Sequence, residues 1–275
     1  MQRYKKNIIC GYIFIFFINL PVYLVEVTIK ITHIEQTDST NAYLQRLQAT
    51  TDIRGCAVAA DRQVAGRGMG DNVWESGAGQ NLTFSVALDM SFLPAEAQFQ
   101  LSKAVSLGVL DALNEAAPEK FFSIKWPNDI YCEGHKTGGI LISNGINGKM
   151  MDVSIVGIGL NVNQTIFRDW PTNPSSLFNL TGRKFDLETL LQSVCLHLEK
   201  QWARLKKCID IQDFSSLDEE YLKNLLRYRA WGDYEVGGMV KSLYMEGVDA
   251  FGRLQLRDAF GETHIFDVKE IKFRW

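Results

Sequence analysis

The chain has 275 residues, 46% of them hydrophobic and 22% charged, with a formal net charge of −3; this is the composition of a globular protein with one large domain and a small one, or two of moderate size. Lysine and arginine are spread along the chain without a local basic patch, which excludes general attraction to nucleic acid. The cysteines Cys10, Cys56, Cys132, Cys195 and Cys208 are odd in number and hold no C-x-x-C pair, and the histidines are scattered. A disulfide framework and a structural zinc site of ordinary spacing are both disfavoured, and a reducing compartment is expected.

The N-terminus joins a basic start, "MQRYKK", to an apolar run broken by Asn19 and Pro21, and no small-residue cleavage site follows. It is open to reading as a membrane anchor, as residues added by an upstream translation start, or as a buried segment, and residues 1–26 are set apart from the fold. "VTIKITHI" (27–34) alternates as a strand, and Asp38 or Ser39 is placed to cap a short helix. Strands are expected over 55–63 and 81–90. Between Pro94 and Pro118, Ala97, Leu101, Ala104, Val105, Gly108 and Ala112 share one helical face.

Residues 121–129 read as a strand ending in a loop at "WPND". Residues 138–163 read as a hairpin connected through Asn147-Gly148, with a buried second strand. The stripe through Leu187, Leu190, Leu191, Val194, Cys195, Leu198, Trp202 and Leu205 predicts a core-facing helix over 186–207, in which Cys195 and Trp202 are packing residues. A shorter helix is expected around "LDEEYLKNLL". From Trp231-Gly232 onward, short strands alternate with glycine turns, the pattern of a small β-barrel. Strands and helices mix without a strict βαβ rhythm, so the fold class expected is α+β.

Polar stretches interrupt or end these apolar strands: "TDSTN" (37–41), Gln63 with "AGRGMGDNVWESG" (65–77), "KWPNDIYCEGHKTGG" (125–139) and "GIGLNVN" (157–163). The glycine-rich stretch is neither a dinucleotide fingerprint nor a Walker loop. Singly, each has a plain reading as helix cap, turn or solvated charge. Together they supply cations and close-approaching amides for an anion, and hydroxyls and amides for a polar ligand. No Ser/His/Asp triad or activated thiol is visible. The residues lead to anion or nucleotide chemistry with a small polar ligand, and no further.

"TDSTN", "GRG" with a tryptophan six residues later, "GAGQNLTFS", "KWPNDIY…HKTGGILIS" and "GIGLNVN" stand in the order and spacing of the biotin protein ligases, which the chain resembles from about Val27 to its end. The resemblance implies a mixed sheet with flanking helices, like a class II synthetase, over 27–230 and an SH3-like domain over 231–275. It implies activation of biotin by MgATP to biotinyl-5'-AMP, then transfer to a lysine of a biotin carboxyl carrier protein, such as that of acetyl-CoA carboxylase.

Position by position, Ser39, Thr40, Asn41 and Gln63 match residues around the biotin ureido head, and Gly139 lines the biotin channel. Arg67 and Gly68 match the adenylate loop, and Lys136 the lysine at the carboxylate and α-phosphate. Asp129, with Asn128 beside it, matches a carboxylate that orients Mg²⁺ or the incoming lysine. Trp74 and Asn161 match contacts to adenine and phosphate. Arg67, Lys136 and Asp129 are the expected catalytic residues. Many members read G-R-G-R-R-G where this chain has Gly66-Arg67-Gly68-Met69-Gly70-Asp71, so the adenylate is expected to be held less tightly. A cytoplasmic ligase, monomer or homodimer, without a DNA-binding domain is expected; a membrane association would rest on residues 1–26. The rivals are a lipoate or octanoate ligase and a non-catalytic, membrane-tethered sensor of biotin or nucleotide.

Overall fold

The computed structural model describes residues 29–70, 72–168 and 173–275. The apolar N-terminal segment and Asp71 lie outside the described residues. A seven-stranded sheet is formed by β1 (Lys30–Thr37), β2 (Cys56–Gln63), β3 (Leu82–Asp89), β4 (Phe122–Lys125), β5 (Asp129–Cys132), β6 (His135–Asn147) and β7 (Met150–Leu160), in the order β1-β2-β3-β7-β6-β5-β4. β1 and β2 are parallel, joined through α1 (Thr40–Gln48), and the other pairs are antiparallel.

The two faces of the sheet have different fillings because side chains alternate along each strand. Leu82, Phe84, Val86 and Leu88 of β3 point into the main core, which also takes residues of α2 (Gln98–Ala116), α4 (Leu187–Ile211) and α5 (Ser215–Lys223). Each fully buried Leu or Val in such a core contributes roughly 1.5–3 kcal/mol. Ala87 points the other way, into a smaller cluster with Leu44 of α1, Ile53 and Val58. Cys195 and Trp202 are buried core residues as expected, and the indole N–H of Trp202 donates to the Asp89 carbonyl at 2.8 Å. Helix α4 starts at Asp186, whose carboxylate accepts the Thr189 N–H at 2.8 Å, and ends at Gln212 in a left-handed conformation.

Three details go beyond the sequence reading. Residues 121–129 hold a strand ending in a loop, as read, since β4 stops at Lys125 and the chain turns through Trp126-Pro127-Asn128; the addition is β5, which returns antiparallel to β4 from Asp129. Strands of four residues are too short for alternation to declare itself. The helix expected from Pro94 opens with a 3-10 turn at Ala95–Ala97, and a short α3 (Leu177–Thr181) was not foreseen.

The C-terminal part forms a second, five-stranded antiparallel sheet from β8 (Trp231–Val236), β9 (Met239–Val248), β10 (Leu254–Arg257), β11 (Thr263–Phe266) and β12 (Ile271–Phe273). Its order, β11-β10-β9-β8-β12, fits a small SH3-like barrel, although no pairing joins β11 to β12 among the described residues. Tyr234, Leu243, Met245, Leu254, Leu256 and Ile271 join the same core as the first sheet. The indole N–H of Trp126 donates to the Gly252 carbonyl at 2.8 Å, tying the β4–β5 turn to the β9–β10 turn. Among the described residues, no helix is long and apolar enough to cross a membrane.

Candidate active site

On the α1 side of the sheet, where side chains would otherwise fill the space, β6 and β7 carry glycine. Gly139 pairs with Gly159, and Gly157 pairs with Leu141 on β6 and with Ser85 on β3. A Cβ on Gly157 would lie 2.2 Å from Asn41 Oδ1, and one on Gly159 would lie 2.4 Å from the Trp74 ring. The bare strands floor a cavity of about 1300 Å³. Every site residue named from the sequence lines it: Ser39, Thr40, Asn41, Gln63, Arg67, Gly68, Trp74, Asn128, Asp129, Lys136, Gly139 and Asn161.

The glycine-rich stretch crosses this cavity as a miniature hairpin. The Trp74 N–H donates to Gly66 O at 3.0 Å and the Gly68 N–H to Asn72 O at 2.8 Å, with Arg67 opposite Val73. Gly66 is required by close approach, since a Cβ there would lie 2.4 Å from Trp74 O; Gly70 is required by its φ of +65°. Arg67 is exposed over the cavity. The Trp74 indole rests on the glycine floor, with its buried N–H unpaired among the described residues.

One end of the cavity is neutral. The N-terminus of α1 is pinned there by Asp38, which takes two hydrogen bonds from Arg46 (2.7 and 2.9 Å) and one from the Ser39 N–H; Arg46 foremost holds the Asp38 carboxyl far below the usual carboxylate range. This presents the buried residues Ser39, Thr40 and Asn41 to the cavity. The Thr40 N–H donates to Gln63 Oε1 at 2.7 Å, and Asn41 Nδ2 donates to Leu141 O at 3.1 Å. Beneath them Ser85, fully buried, touches Thr40 Oγ1 and Asn41 Oδ1.

The other end is charged. The Asp129 carboxylate, 13% exposed, lies 2.6 Å from Lys136 Nζ and 3.6 Å from Lys125 Nζ. The Lys125 ammonium also sits over the rings of Tyr131 (5.7 Å) and of Phe273 on β12 (5.0 Å), and burial pulls its pKa below the usual lysine range. Asn128 shapes the adjacent turn, donating from Nδ2 to Ile140 O at 2.7 Å. Asn161 is buried at the end of β7, its backbone N–H donating to Thr137 O at 2.8 Å.

Several lining residues were not singled out from the sequence. Lys125 stands within "KWPND" with no role assigned from the sequence; Ser85, beneath the lining rather than in it, closes the quoted "GAGQNLTFS". Tyr131, Phe273 and Trp275 reach the cavity only through tertiary folding, with Tyr131 and Trp275 stacked at 5.4 Å. Burial pushes the Cys132 thiol up to about 11 and the Cys195 thiol up to about 12, which keeps these two protonated and inert. Among the described residues, the one group of side chains spaced to hold a metal ion is Asp258, Glu262 and His264 on the second sheet, away from the cavity lining.

The sequence matches the Biotin/lipoate A/B protein ligase family over residues 33–161. It is 31% identical over 236 residues to a biotin--[acetyl-CoA-carboxylase] ligase of Paracoccus denitrificans, covering 84% of this chain and 95% of that protein. It is 36% identical over 152 residues to a bifunctional ligase/repressor of Bacillus subtilis, covering 54% of this chain and 46% of that protein. The chain thus spans about half the length of several of the curated relatives it matches. A biotin protein ligase from Aquifex aeolicus, solved in complex with biotin and ATP, superposes with a TM-score of 0.72 at 26% identity, covering 89% of this chain and 98% of that one.

Proposed function

We propose, for a chain that belongs to the biotin protein ligase family, that it joins biotin to a lysine of a carrier protein in two steps at this one cavity. In the first, a biotin carboxylate oxygen attacks the α-phosphorus of ATP, the bond to the bridging oxygen breaks, and pyrophosphate leaves with that electron pair. In the second, a carrier lysine amine attacks the acyl carbon of biotinyl-5'-AMP, loses a proton, and expels AMP. Both steps need alignment and charge stabilisation more than covalent help from the protein. The observation that carries the reading is the joining, in one cavity, of a neutral polar end to the Lys125–Asp129–Lys136 cluster.

In this reading Ser39, Thr40, Asn41 and Gln63 hold the ureido ring and Gly139 lets the valeryl chain pass over the sheet. Lys136 and Arg67 face the charge that builds on the phosphoryl oxygens, with Gly68, Asn128, Trp74 and Asn161 around the nucleotide. Asp129 orients Lys136 and the incoming amine. The residues around Asp129 do not fit a Mg²⁺ ligand set, because its carboxylate already carries two ammonium partners. We assign Mg²⁺ to the ATP phosphates as part of the substrate and Asp129 to orientation alone. Residues 231–275 form the SH3-like domain of this scheme, the acceptor is the carrier domain of a biotin-dependent carboxylase, and the reaction takes place in the cytoplasm.

The nearest rival, transfer of lipoate or octanoate, fits the neutral end less well. An alkyl chain or dithiolane would leave its buried hydroxyls and amides facing apolar atoms, which costs about 1–3 kcal/mol per unpaired group. The deciding experiment is intact-mass measurement of a carrier domain after incubation with this protein, MgATP and either biotin or lipoate. The expected result is the added mass of one biotinyl group. An unmodified carrier with biotin would defeat the reading, and lipoyl transfer alone would replace it by the rival; a purely sensory role would give binding without added mass.

A further inference from the structure

We propose that Ser85 is a positioning residue that fixes the direction of the hydrogen bonds at the neutral end of the cavity, and so fits that end to a ligand bearing N–H beside C=O. The identity of the ligand rests on the biotin reading; the hydrogen-bond order rests on geometry.

Ser85 lies on β3 opposite Gly157, on the cavity side of the sheet, with no solvent exposure. Its Oγ is 2.5 Å from Asn41 Oδ1 and 2.6 Å from Thr40 Oγ1. Hydroxyl protons follow from the network around them. Asn41 Nδ2 donates to the Leu141 carbonyl at 3.1 Å, which fixes the amide so that Oδ1 faces Ser85. A carbonyl oxygen cannot donate, so the single proton of Ser85 goes to Asn41.

The 2.6 Å contact between Ser85 and Thr40 is too short to stand without a proton. Only the Thr40 proton remains to fill it. Thr40 therefore donates to Ser85, and its longer contact to Gln63 Oε1, at 3.1 Å, carries no proton. Gln63 Oε1 is held instead by the Thr40 backbone N–H at 2.7 Å, which fixes the second amide too.

The outcome is a defined polarity. Thr40 Oγ1, its proton turned into the sheet, is an acceptor toward the cavity. Gln63 Nε2, which has no partner among the described residues, is a donor beside it. A cyclic urea offers the complementary pair, a ring N–H and a carbonyl. Removing the Ser85 hydroxyl strips Asn41 Oδ1 of its donor and frees the Thr40 proton to turn toward Gln63 or the ligand.

The test is calorimetric titration of the full chain with biotin and with biotin methylated on its ureido ring, for wild type, Ser85→Ala, Ser85→Cys and Thr40→Val. Ser85→Ala should weaken biotin binding about tenfold. The methylated analogue should lose less affinity relative to biotin in Ser85→Ala than in wild type, while KM for ATP stays unchanged. Loss of general packing would not move that ratio. Ser85→Cys retains the volume and stands in if the alanine variant does not fold. The double variant with Thr40→Val should bind biotin no more weakly than the poorer single variant, as expected of coupled residues. The proposal is overturned if both Ser85 variants bind biotin within about twofold of wild type, or if the ratio between the two ligands is unaltered. A wild-type chain that binds no biotin would overturn both this and the ligase reading, and that is seen before any variant is compared.

Discussion

At one end of the cavity Ser39, Thr40, Asn41 and Ser85 are neutral and almost wholly buried, the last three bonded to one another or to backbone, whereas at the other Lys125, Asp129 and Lys136 are charged and keep contact with solvent, as does Arg67 on the loop that crosses the cavity. The difference follows from what each end can tolerate. Hydroxyls and amides can be sealed under α1 where they find partners at modest net cost, as Thr40, Asn41 and Ser85 do. A cation can be sealed as deeply only where a carboxylate offsets its desolvation, as Asp218 does for Lys103 at 2.7 Å. The neutral end is therefore built as a buried network, while the charged end keeps its ion pairs within reach of water.

The comparison predicts that damage to the two ends will separate. Lys136→Met should lower adenylate formation, read as biotin-dependent exchange of pyrophosphate into ATP, by about 10²–10³-fold. Because Lys136 also faces the biotin carboxylate, biotin affinity should fall too, but by only about two- to fivefold; a loss of affinity as large as the loss of rate would mean that the ends are not separable. Gly157→Ala attacks the neutral end, since its Cβ would fall 2.2 Å from Asn41 Oδ1. The displacement should weaken biotin binding by roughly 10- to 100-fold, in line with about 1–3 kcal/mol for overpacking. Calorimetry would read it, and an ATP KM raised by the same factor would count against the division.

Smaller effects sharpen the charged end. Met69→Arg adds a cation beside Arg67 on a partly exposed loop, and should slow release of biotinyl-AMP roughly two- to fivefold. Unaltered release in a stopped-flow chase would sink the idea that the loop's few cations limit retention. The smallest effect concerns Lys125. Burial lowers its pKa, so the unfolded chain binds more protons at this lysine in the window just below its ordinary value of 10.5. Its charge therefore costs stability at neutral pH, and the cost is relieved as pH rises through that window. The Tm of wild type relative to Lys125→Met should rise by about 1–2 °C between pH 7.5 and pH 10; a fall would contradict the sign.

Much of this site could be read in the sequence because its residues interrupt apolar strands. Asp129, Lys136 and Asn161 stand next to "IY", "GGIL" and "IVGIGL", where polar groups have no core role, and all line the cavity. Ser85 was hidden for the opposite reason: within "NLTFSVALDM" it looks like an ordinary strand serine, and its two contacts come from 44 and 45 residues away. Gly157 and Gly159 stand in a stretch that reads only as a buried strand; they are strand positions emptied to make room for Asn41 and the Trp74 ring. The fold was legible where periods are long, as in α4, and missed at β5 and α3, which are too short to show a period.

The bond from Trp126 to Gly252 ties the turn behind the charged end to the β9–β10 turn of the second sheet. Gly252 has φ of +88°, and a Cβ there would lie 2.3 Å from the Phe99 ring, so the turn has no slack. Two residues beyond Gly252's partner, "KWPND" continues into Asn128 and Asp129. A change at residue 252 would thus be misdiagnosed in an assay as a broken catalyst, although the lesion is in a turn of the second sheet outside the cavity lining.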